Sequence, residues 1–291
     1  MKLLAKFNLI LIALFGIGSI LIAYAAYHFL MRNARSQVVQ QAELMIESAR
    51  STRQYTSNEL APLLETVPAR ETRFLPETIP FYAATVTFDY LRKQYPAYSY
   101  KEAALNPTNL RDRAVDWESD LIGYFRNHAN EGEVVGERET PTGRMLYVAR
   151  PIVASQACME CHSLAADAPP TIVKTYGSVN GFGWKSNETV AAQIVSIPMA
   201  VPIQTARAAF RTLVIYLIAG FVVLIAAIDA AMLFIVIRPV RKLSYMADRI
   251  STGDMSLPEL TVQGRDEIAG LTASFNRMFL SLQKAFRLLN G

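Results

Sequence analysis

The stretch that decides the organisation of this chain is Cys158-Met159-Glu160-Cys161-His162. Cys-x-x-Cys-His is the attachment signature of c-type haem, because two thiols at this spacing can each add to one vinyl group of the porphyrin. The imidazole that follows is then held under the iron as an axial ligand. The sequence therefore predicts one covalently attached haem c on Cys158 and Cys161, with His162 on the iron.

Three other uses of the two thiols compete with haem. A structural zinc site needs two more ligands, and with 2 Cys and 3 His in the chain the usual candidates left are His28 and His128. A dithiol redox pair of the thioredoxin kind needs a βαβ context, which the sequence pattern does not offer. A disulfide across so short a loop would be strained. Haem is favoured because it needs no residue that the chain lacks.

Composition points to a membrane protein. The 291 residues are 52% hydrophobic, with a mean hydropathy of +0.19, which is apolar for a soluble domain. The net charge of +4 is small and no long basic run occurs mid-chain, so nucleic acid is not an expected partner. Outside the Cys-x-x-Cys-His motif no phosphate loop, nucleophile elbow or metal-ligand cluster is found, and an enzyme is not expected.

Two apolar runs are long enough to span a bilayer, Phe7 to about Leu30 and about Leu213 to Ile237. We expect the first to be an uncleaved signal anchor. Lysines precede the first run and Arg238 follows the second, so the positive-inside rule places both termini in the cytoplasm. Covalent haem attachment is extracytoplasmic, which agrees with this topology. The expected location is a bacterial inner membrane, with the haem domain in the periplasm.

An acidic residue, Asp229, lies inside the second run, about 13 Å from Arg238 at helical rise. Because a charge at that depth is costly, such a residue is a functional candidate or a protonated group that helps helices to associate. Ser19 lies at a comparable depth in the first run and could hydrogen-bond to Asp229.

Helical periodicity continues beyond the first span, with small and apolar residues at spacings of three and four from Val38 through Ala42, Met45 and Ala49 to Thr52. This seam could pair with its copy in a parallel dimer or pack on its own domain. Pro62 and Pro68 are expected to end the helix.

From about Glu71 to Met199 the pattern is that of a small α+β domain. Strands are predicted around Val134, over Arg144–Ile152 and over Val190–Met199, the first two joined by a hairpin-like loop. A helix is predicted from Asp112 to about His128. The run Tyr82–Leu91 could be either helix or strand.

A glycine-rich segment, Tyr176 to Trp184, follows the haem motif. Three glycines let the backbone approach something flat, and Tyr176, Phe182 and Trp184 supply apolar faces. A bound porphyrin is one candidate for that flat surface, and a turn packed on the core is the other.

These features together resemble a family, the single-haem, PAS-like c-type periplasmic sensors. The resemblance covers about residues 40 to 200. It rests on motifs in a fixed order: Ile79-Pro80-Phe81-Tyr82, Asn106-Pro107-Thr108-Asn109, Trp117-Glu118, Ala149-Arg150-Pro151, the haem motif, and Tyr176-Gly177 through Trp184. It implies an antiparallel PAS-like sheet with flanking helices and one haem, with His162 as the proximal ligand.

The last segment, from Arg238, is similar to a HAMP domain. Pro239, Gly253-Asp254 and Asp266-Glu267-Ile268 match that pattern, with Ala269 where a Gly is usual. Its helices carry two apolar seams that could be buried in a parallel four-helix bundle of two chains. The seam residues are Val240, Leu243, Ala247, Ile250, Ile268, Leu271, Phe275, Met278, Leu282, Ala285 and Leu289.

The expected domains are therefore an anchor at 1–30, a periplasmic haem domain at 31–212, a second span at 213–237 and a cytoplasmic HAMP domain at 238–291. The predicted function is sensing of redox state or a small gas, with the signal passed as a homodimer to a separate cytoplasmic protein such as a kinase. The alternative is a membrane-anchored electron-transfer cytochrome.

The sixth ligand of the iron is open at this point. Met45 and His128 are the leading candidates, and Met145 and Met199 are weaker ones. A site left open or filled by water competes with both leading candidates, because Met at helical spacing more commonly packs in a core.

Overall fold

The computed structural model describes residues 3–290, which separate into two compact units. The central unit comprises Tyr27–Ala209. The terminal unit joins the residues up to Ala26 to those from Phe210 onward.

The central unit is built on a four-stranded antiparallel sheet in the order β1-β4-β3-β2. Its strands are β1 (Ser99–Ala104), β2 (Val134–Thr140), β3 (Gly143–Val153) and β4 (Thr189–Pro198). The three predicted strands and the hairpin between β2 and β3 are confirmed, as is the α+β class. Strand β1 was not predicted, because Lys101 and Glu102 interrupt its apolar pattern.

Helices pack on both faces of the sheet or lie beside it. They are α1 (Leu3–Tyr55), α2 (Ala61–Glu65), α3 (Pro80–Gln94), α4 (Asp116–Asn127), and the short α5 (Met159–His162) and α6 (Pro170–Tyr176). The ambiguous run Tyr82–Leu91 is therefore helical. The predicted helix at Asp112 starts four residues later, after a 3-10 turn at Leu110–Asp112.

Pro62 does not end the first long helix. A π-helical turn, Thr56–Leu60, follows α1, and α2 then continues to Glu65. Proline has no N–H and its ring clashes with the carbonyl four residues back, and a wider π turn accommodates both problems. The helical path ends only before the turn at Pro68.

One face of the sheet packs on α1 and α3. Val38, Ala42, Ile46 and Ala49 of α1 are buried in this core, together with residues of α3 and the strands. Within it the rings of Phe88 and Tyr100 stack at a centroid distance of 4.3 Å. The seam predicted after the first span thus packs on its own domain along these positions.

The other face of the sheet packs on α4. Leu121, Ile122 and Phe125 lie against Ala149 and Ile194 of the sheet. Because successive residues of a strand point to opposite faces, a strand covered on both sides is buried throughout. This explains the nearly continuous burial of β4.

Two helices of the described chain are long and apolar enough to cross a membrane, Leu4–Glu65 and Ala200–Ser251, and each runs partly in the terminal unit. In this unit Asn8 Nδ2 donates to Asp229 Oδ2 at 2.9 Å, and the rings of Phe15 and Phe221 lie 6.1 Å apart. Both contacts give the same antiparallel register. Asn8, rather than the expected Ser19, is therefore the partner of Asp229.

The second apolar run lies in α7 (Ala200–Ala231) and in the π-helical turn that follows it (Met232–Ile237). The chain then continues as α8 (Arg238–Ser251), an extended connector and α9 (Glu267–Asn290). Leu243 and Met246 of α8 pack with Leu260 of the connector. The side chain of Asn276 fixes this connector, because it accepts from the N–H of Leu260 at 3.1 Å and donates to its carbonyl at 2.7 Å.

Helix α9 buries a stripe offset from the seam predicted from the sequence, although Phe275 of that seam packs against the cluster of Leu243 and Met246 of α8. Its buried positions are Ala269, Thr272, Asn276 and Phe279. Leu271, Met278 and Leu282 of the predicted seam are exposed in the single chain, Leu271 to 53%. The side chain of Leu289 lies outside the described residues.

Candidate functional site

A cavity of about 670 Å³ opens at one end of the sheet in the central unit. Its floor is formed by the ends of β1, β3 and β4, including Ala104, Ile152 and Ala191. Cavities of ~300–1,000 Å³ are the usual size of small-molecule and cofactor sites. Most of the remaining lining is apolar or aromatic, which suits a large planar ligand.

Both thiols of the pentapeptide line this cavity. A 3-10 turn, Gln156–Cys158, leads into α5, and this single turn of helix places Cys158 and Cys161 on the same side. Both are free and half-buried. Burial raises the pKa of the Cys161 thiol. No group of three or more metal-ligating side chains is found among residues 3–290.

His162 is held in one orientation. Its Nδ1 lies 2.6 Å from the carbonyl oxygen of Gly181, and its ring stacks on Trp184 at a centroid distance of 4.0 Å. Because a carbonyl can only accept, Nδ1 carries the proton and Nε2 keeps its lone pair, which is the arrangement of a metal-ligating histidine. Burial lowers the pKa of His162, which favours the neutral imidazole, against the opposing effect of the bond to Gly181.

The glycine-rich segment builds this orientation from its backbone. Asn106 donates from Nδ2 to the Phe182 carbonyl at 3.0 Å and accepts from the Gly181 N–H at 3.0 Å. Gly181 has φ +84°, and a Cβ there would lie 2.7 Å from the Cα of Thr108. Only glycine fits, and its carbonyl is what fixes His162.

Of the three aromatic residues predicted to face the ligand, two line the cavity. Tyr176 and Trp184 do so, and Tyr176 also packs edge-on against Phe74 at 5.7 Å. Phe182 is not among the lining residues, and its role in the site is through the carbonyl bonded to Asn106.

The cavity also has charged lining that the sequence analysis missed. It consists of Arg53, Glu102, Arg111 and Asp112. Arg111 pairs with Asp112 at 3.2 Å, whereas Arg53 lies over the ring of Phe81 at 3.9 Å and makes no ion pair with the described residues. No pattern marked these positions, since their spacing in sequence is irregular and their strands and helices differ.

Glu102 is the most deeply buried of this charged lining, at 7% exposure. The Tyr100 hydroxyl donates to its Oε1, and Gln193 Nε2 donates to that hydroxyl at 3.2 Å. Burial raises the pKa of Glu102 to about 8, against the opposing effects of the Tyr100 hydrogen bond and the charge of Arg53. Burial likewise raises the pKa of Tyr100 far above its usual range.

Sequence comparison matches residues 31–198 of this chain to the Tll0287-like family. The chain belongs to the Tll0287-like family. Residues 234–284 match the HAMP domain, as the sequence indicated. No functionally curated protein matches the chain.

Among solved structures, the chain is similar to the crystal structure of the cyanobacterial haem-protein Tll0287. The two are 14% identical, the match covers 55% of this chain and 94% of that one, and the TM-score is 0.43.

None of the candidates for the sixth ligand lines the cavity of the Tll0287-like domain. Met45 packs against the core between the sheet and α1, and Met199 is buried there. Met145 pairs with Pro198 at the opposite end of β3 from the cavity. His128 stacks on Tyr124 at 4.2 Å and bonds to the Tyr124 carbonyl.

Proposed function

We propose that this chain is a membrane-bound haem sensor, in which a c-type haem held by Cys158, Cys161 and His162 reports a redox state or a small gas to the HAMP domain. The observation that carries the proposal is that both thiols and the His162 imidazole line the same cavity, and that the Nδ1 of this imidazole is hydrogen-bonded to the Gly181 carbonyl. The Tll0287-like and HAMP matches support the same combination. Bound haem would supply a one-electron couple and a coordination position for a gas.

Attachment would use the two thiols as nucleophiles toward the vinyl groups. Cys158 and Cys161 would each hold the haem by a thioether, the sulfur gaining a bond to one vinyl carbon while its proton would pass to the adjacent carbon, with no oxidant or reductant consumed. Trp184 lies against the His162 ring and restricts its rotation, and Gly181 holds the proton on Nδ1. Nε2 is then the atom offered to the iron.

The sixth position is proposed to be open or filled by water. Within the described chain, no Met and no His other than His162 lines the cavity. An open position suits a small gas as the stimulus. A change of iron charge alone would suit a redox stimulus.

The proposed topology keeps the haem domain, residues 31–212, in the periplasm and both termini in the cytoplasm of a bacterial inner membrane. Residues 1–30 and 213–237 are the proposed spans, followed by the HAMP domain from 238. The two apolar helices and the basic residues at their outer ends support this arrangement.

Signal transfer would pass through α7. This helix begins at Ala200, directly after β4, and the helical path continues through the π turn into α8. The exposed seam residues Leu271 and Met278 support a parallel homodimer, since large apolar side chains in register on one helix face favour self-association. The receiver would be a separate cytoplasmic protein such as a kinase.

The first test is attachment. Acid-acetone extraction should leave the colour with the protein, and the variant with Cys158→Ala and Cys161→Ala should lose it. The double variant with Cys→Ser is a matched control for size and polarity and should lose the colour too. Extraction of the colour from unmodified protein would refute covalent attachment.

The second test is transmission. A single cysteine introduced at Met278, with the haem thiols kept, should crosslink between two copies in membranes at a rate that differs between ferric, ferrous and gas-bound protein. A cysteine at the exposed position Arg277 provides the control. Equal rates at Met278 in every haem state, with the cytoplasmic partner present, would favour the electron-transfer cytochrome instead.

A further inference from the structure

The haem cavity contains a carboxyl group that neither attachment nor axial ligation uses. Glu102 lines the cavity from β1 and is almost fully buried. Only its Oε1 is bonded, by the Tyr100 hydroxyl, and its Oε2 has no hydrogen-bond partner within residues 3–290. A buried carboxylate is costly unless it is paired, whereas a carboxylic acid is tolerated there.

The groups facing Glu102 come from four elements. Tyr100 donates to it from the same strand, and Gln193 of β4 bonds to Tyr100. Arg53 of α1 favours the charged form through its positive charge, Arg111 does so weakly, and Asp112 opposes it. None of the three makes a hydrogen bond or ion pair with Glu102 among the described residues, so the group can lose or gain a proton without breaking a salt bridge.

We propose that Glu102 is a proton-binding site coupled to the haem, and that it takes up one proton when the haem accepts one electron. This rests on the proposed function, because it requires haem in the cavity. The step balances: a one-electron reductant reduces ferric to ferrous iron, and a solvent proton converts the Glu102 carboxylate to the acid on Oε2. The cavity keeps its net charge, which is why the two events favour each other.

Two neighbouring groups are poorer proton sites. Burial raises the pKa of Asp112 as well, but its ion pair with Arg111 at 3.2 Å opposes that shift and favours the carboxylate. Tyr100 keeps its proton in both states, since burial raises its pKa well above neutrality. Glu102 is the one group of the three that is buried without an ion pair and has a pKa close to neutral pH, at about 8.

The test is the midpoint potential of the full-length holoprotein in detergent, followed through the Soret band between about pH 6 and about pH 10. One proton per electron changes the reduction equilibrium tenfold per pH unit, which corresponds to a fall of about 59 mV. The unmodified protein should approach that slope over part of the range. Glu102→Gln keeps an acceptor for Tyr100 but cannot titrate, and its potential should be flat there.

Asp112→Asn is the matched control, because it removes a cavity carboxyl that is already ion-paired, and it should keep the slope. Tyr100→Phe keeps Glu102 but removes the donor that stabilises its charged form, so the pH dependence should move to higher pH. If Glu102→Gln fails to retain haem, the shift of the profile in Tyr100→Phe tests the proton site instead.

A flat profile in the unmodified protein, an unchanged slope in Glu102→Gln, or an unmoved profile in Tyr100→Phe would each overturn the proton site. All three outcomes leave the haem spectrum intact, so they are distinct from a failure of the proposed function. That failure would show as a protein without a covalently attached chromophore.

Discussion

Two walls of the same cavity are built by different means. Around His162 the positions are set largely by main-chain groups: the Gly181 carbonyl accepts from the imidazole, and the Phe182 carbonyl and the Gly181 N–H are held by the side chain of Asn106. Around Glu102 they are set by side chains, those of Tyr100 and Gln193. A bond to a main-chain carbonyl survives most substitutions, apart from those that move the segment itself, such as changes at Gly181 or Asn106. Side-chain contacts leave the charge of the site adjustable by single substitutions.

The largest expected effect comes from removing the imidazole of the first wall. His162→Ala should keep the colour through acid-acetone extraction, because the thioethers do not depend on the imidazole, but should shift the Soret band and weaken iron ligation. His128→Ala is the control, since that ring lies on Tyr124 away from the cavity. An identical spectrum for His162→Ala and unmodified protein would remove His162 as the axial ligand.

The next effect tests whether the main chain orients His162. Gly181→Ala forces a Cβ against the backbone of Thr108, and overpacking together with the positive φ should cost about 2–4 kcal/mol. The Soret band should shift as well. Gly183→Ala is the matched control, because its φ is +80° but open space surrounds it. Its cost should be only ~1–2 kcal/mol for the strained φ. Thermal unfolding in detergent would compare the two, and equal losses would contradict the role of the Thr108 contact.

An effect spread over several pH units, on the pH dependence of stability, belongs to the charged wall. The pKa of Glu102 is raised by burial from 4.5 to about 8, so between these values the folded chain binds a proton that the unfolded chain has released. Stability contributed at this site is therefore present below about pH 4.5 and is lost as pH rises through about 8, by at most ~1.4 kcal/mol per pH unit.

Glu102→Gln should flatten this part of the pH profile, as measured by thermal unfolding at a series of pH values. Glu133→Gln is a suitable control, because that carboxylate forms an ordinary ion pair with Arg150 at 2.8 Å. Parallel profiles for unmodified protein and Glu102→Gln would mean that Glu102 titrates as it does in the unfolded chain.

The smallest effect is expected at the positions that the sequence favoured as sixth ligands. Met45→Leu and His128→Ala should leave the Soret band unchanged in both oxidation states, because neither side chain lines the cavity. Met45→Leu conserves volume and should cost under ~1.5 kcal/mol. A shifted Soret band in either variant would identify that residue as the sixth ligand of the iron and contradict an open sixth position.

What could be foreseen from the sequence follows from how local each signal is. The haem motif carries its chemistry within five residues, and β3 and β4 are runs of β-branched and apolar residues. Strand β1 was not predicted because its Glu102 is a buried ionisable residue, and a search for apolar patterns assigns such residues to the surface. The burial of Glu102 depends on Tyr100 and on Gln193 of β4, which is distant in sequence.

Helical spacing predicts which residues of a helix share one face, but it does not predict what that face packs against. Met45 repeats with the apolar residues of α1, and the same spacing is compatible with a core, a dimer or a ligand cavity. The partner of Asp229 was missed for a related reason. Counting depth from the ends of two helices does not fix their register, whereas the pairs Asn8–Asp229 and Phe15–Phe221 do.

Helix α1 gives the haem domain an unusual dependence on its tether. Val38, Ala42, Ile46 and Ala49 are almost completely shielded from solvent by α3 and the sheet. A fragment that begins after Tyr55 would keep α3 but expose the part of this sheet face that α1 covers, and would aggregate or remain unfolded. A soluble version must therefore carry the helix from about Ala34 onward, and the stretch that looks like a stalk is as much part of the domain as its strands.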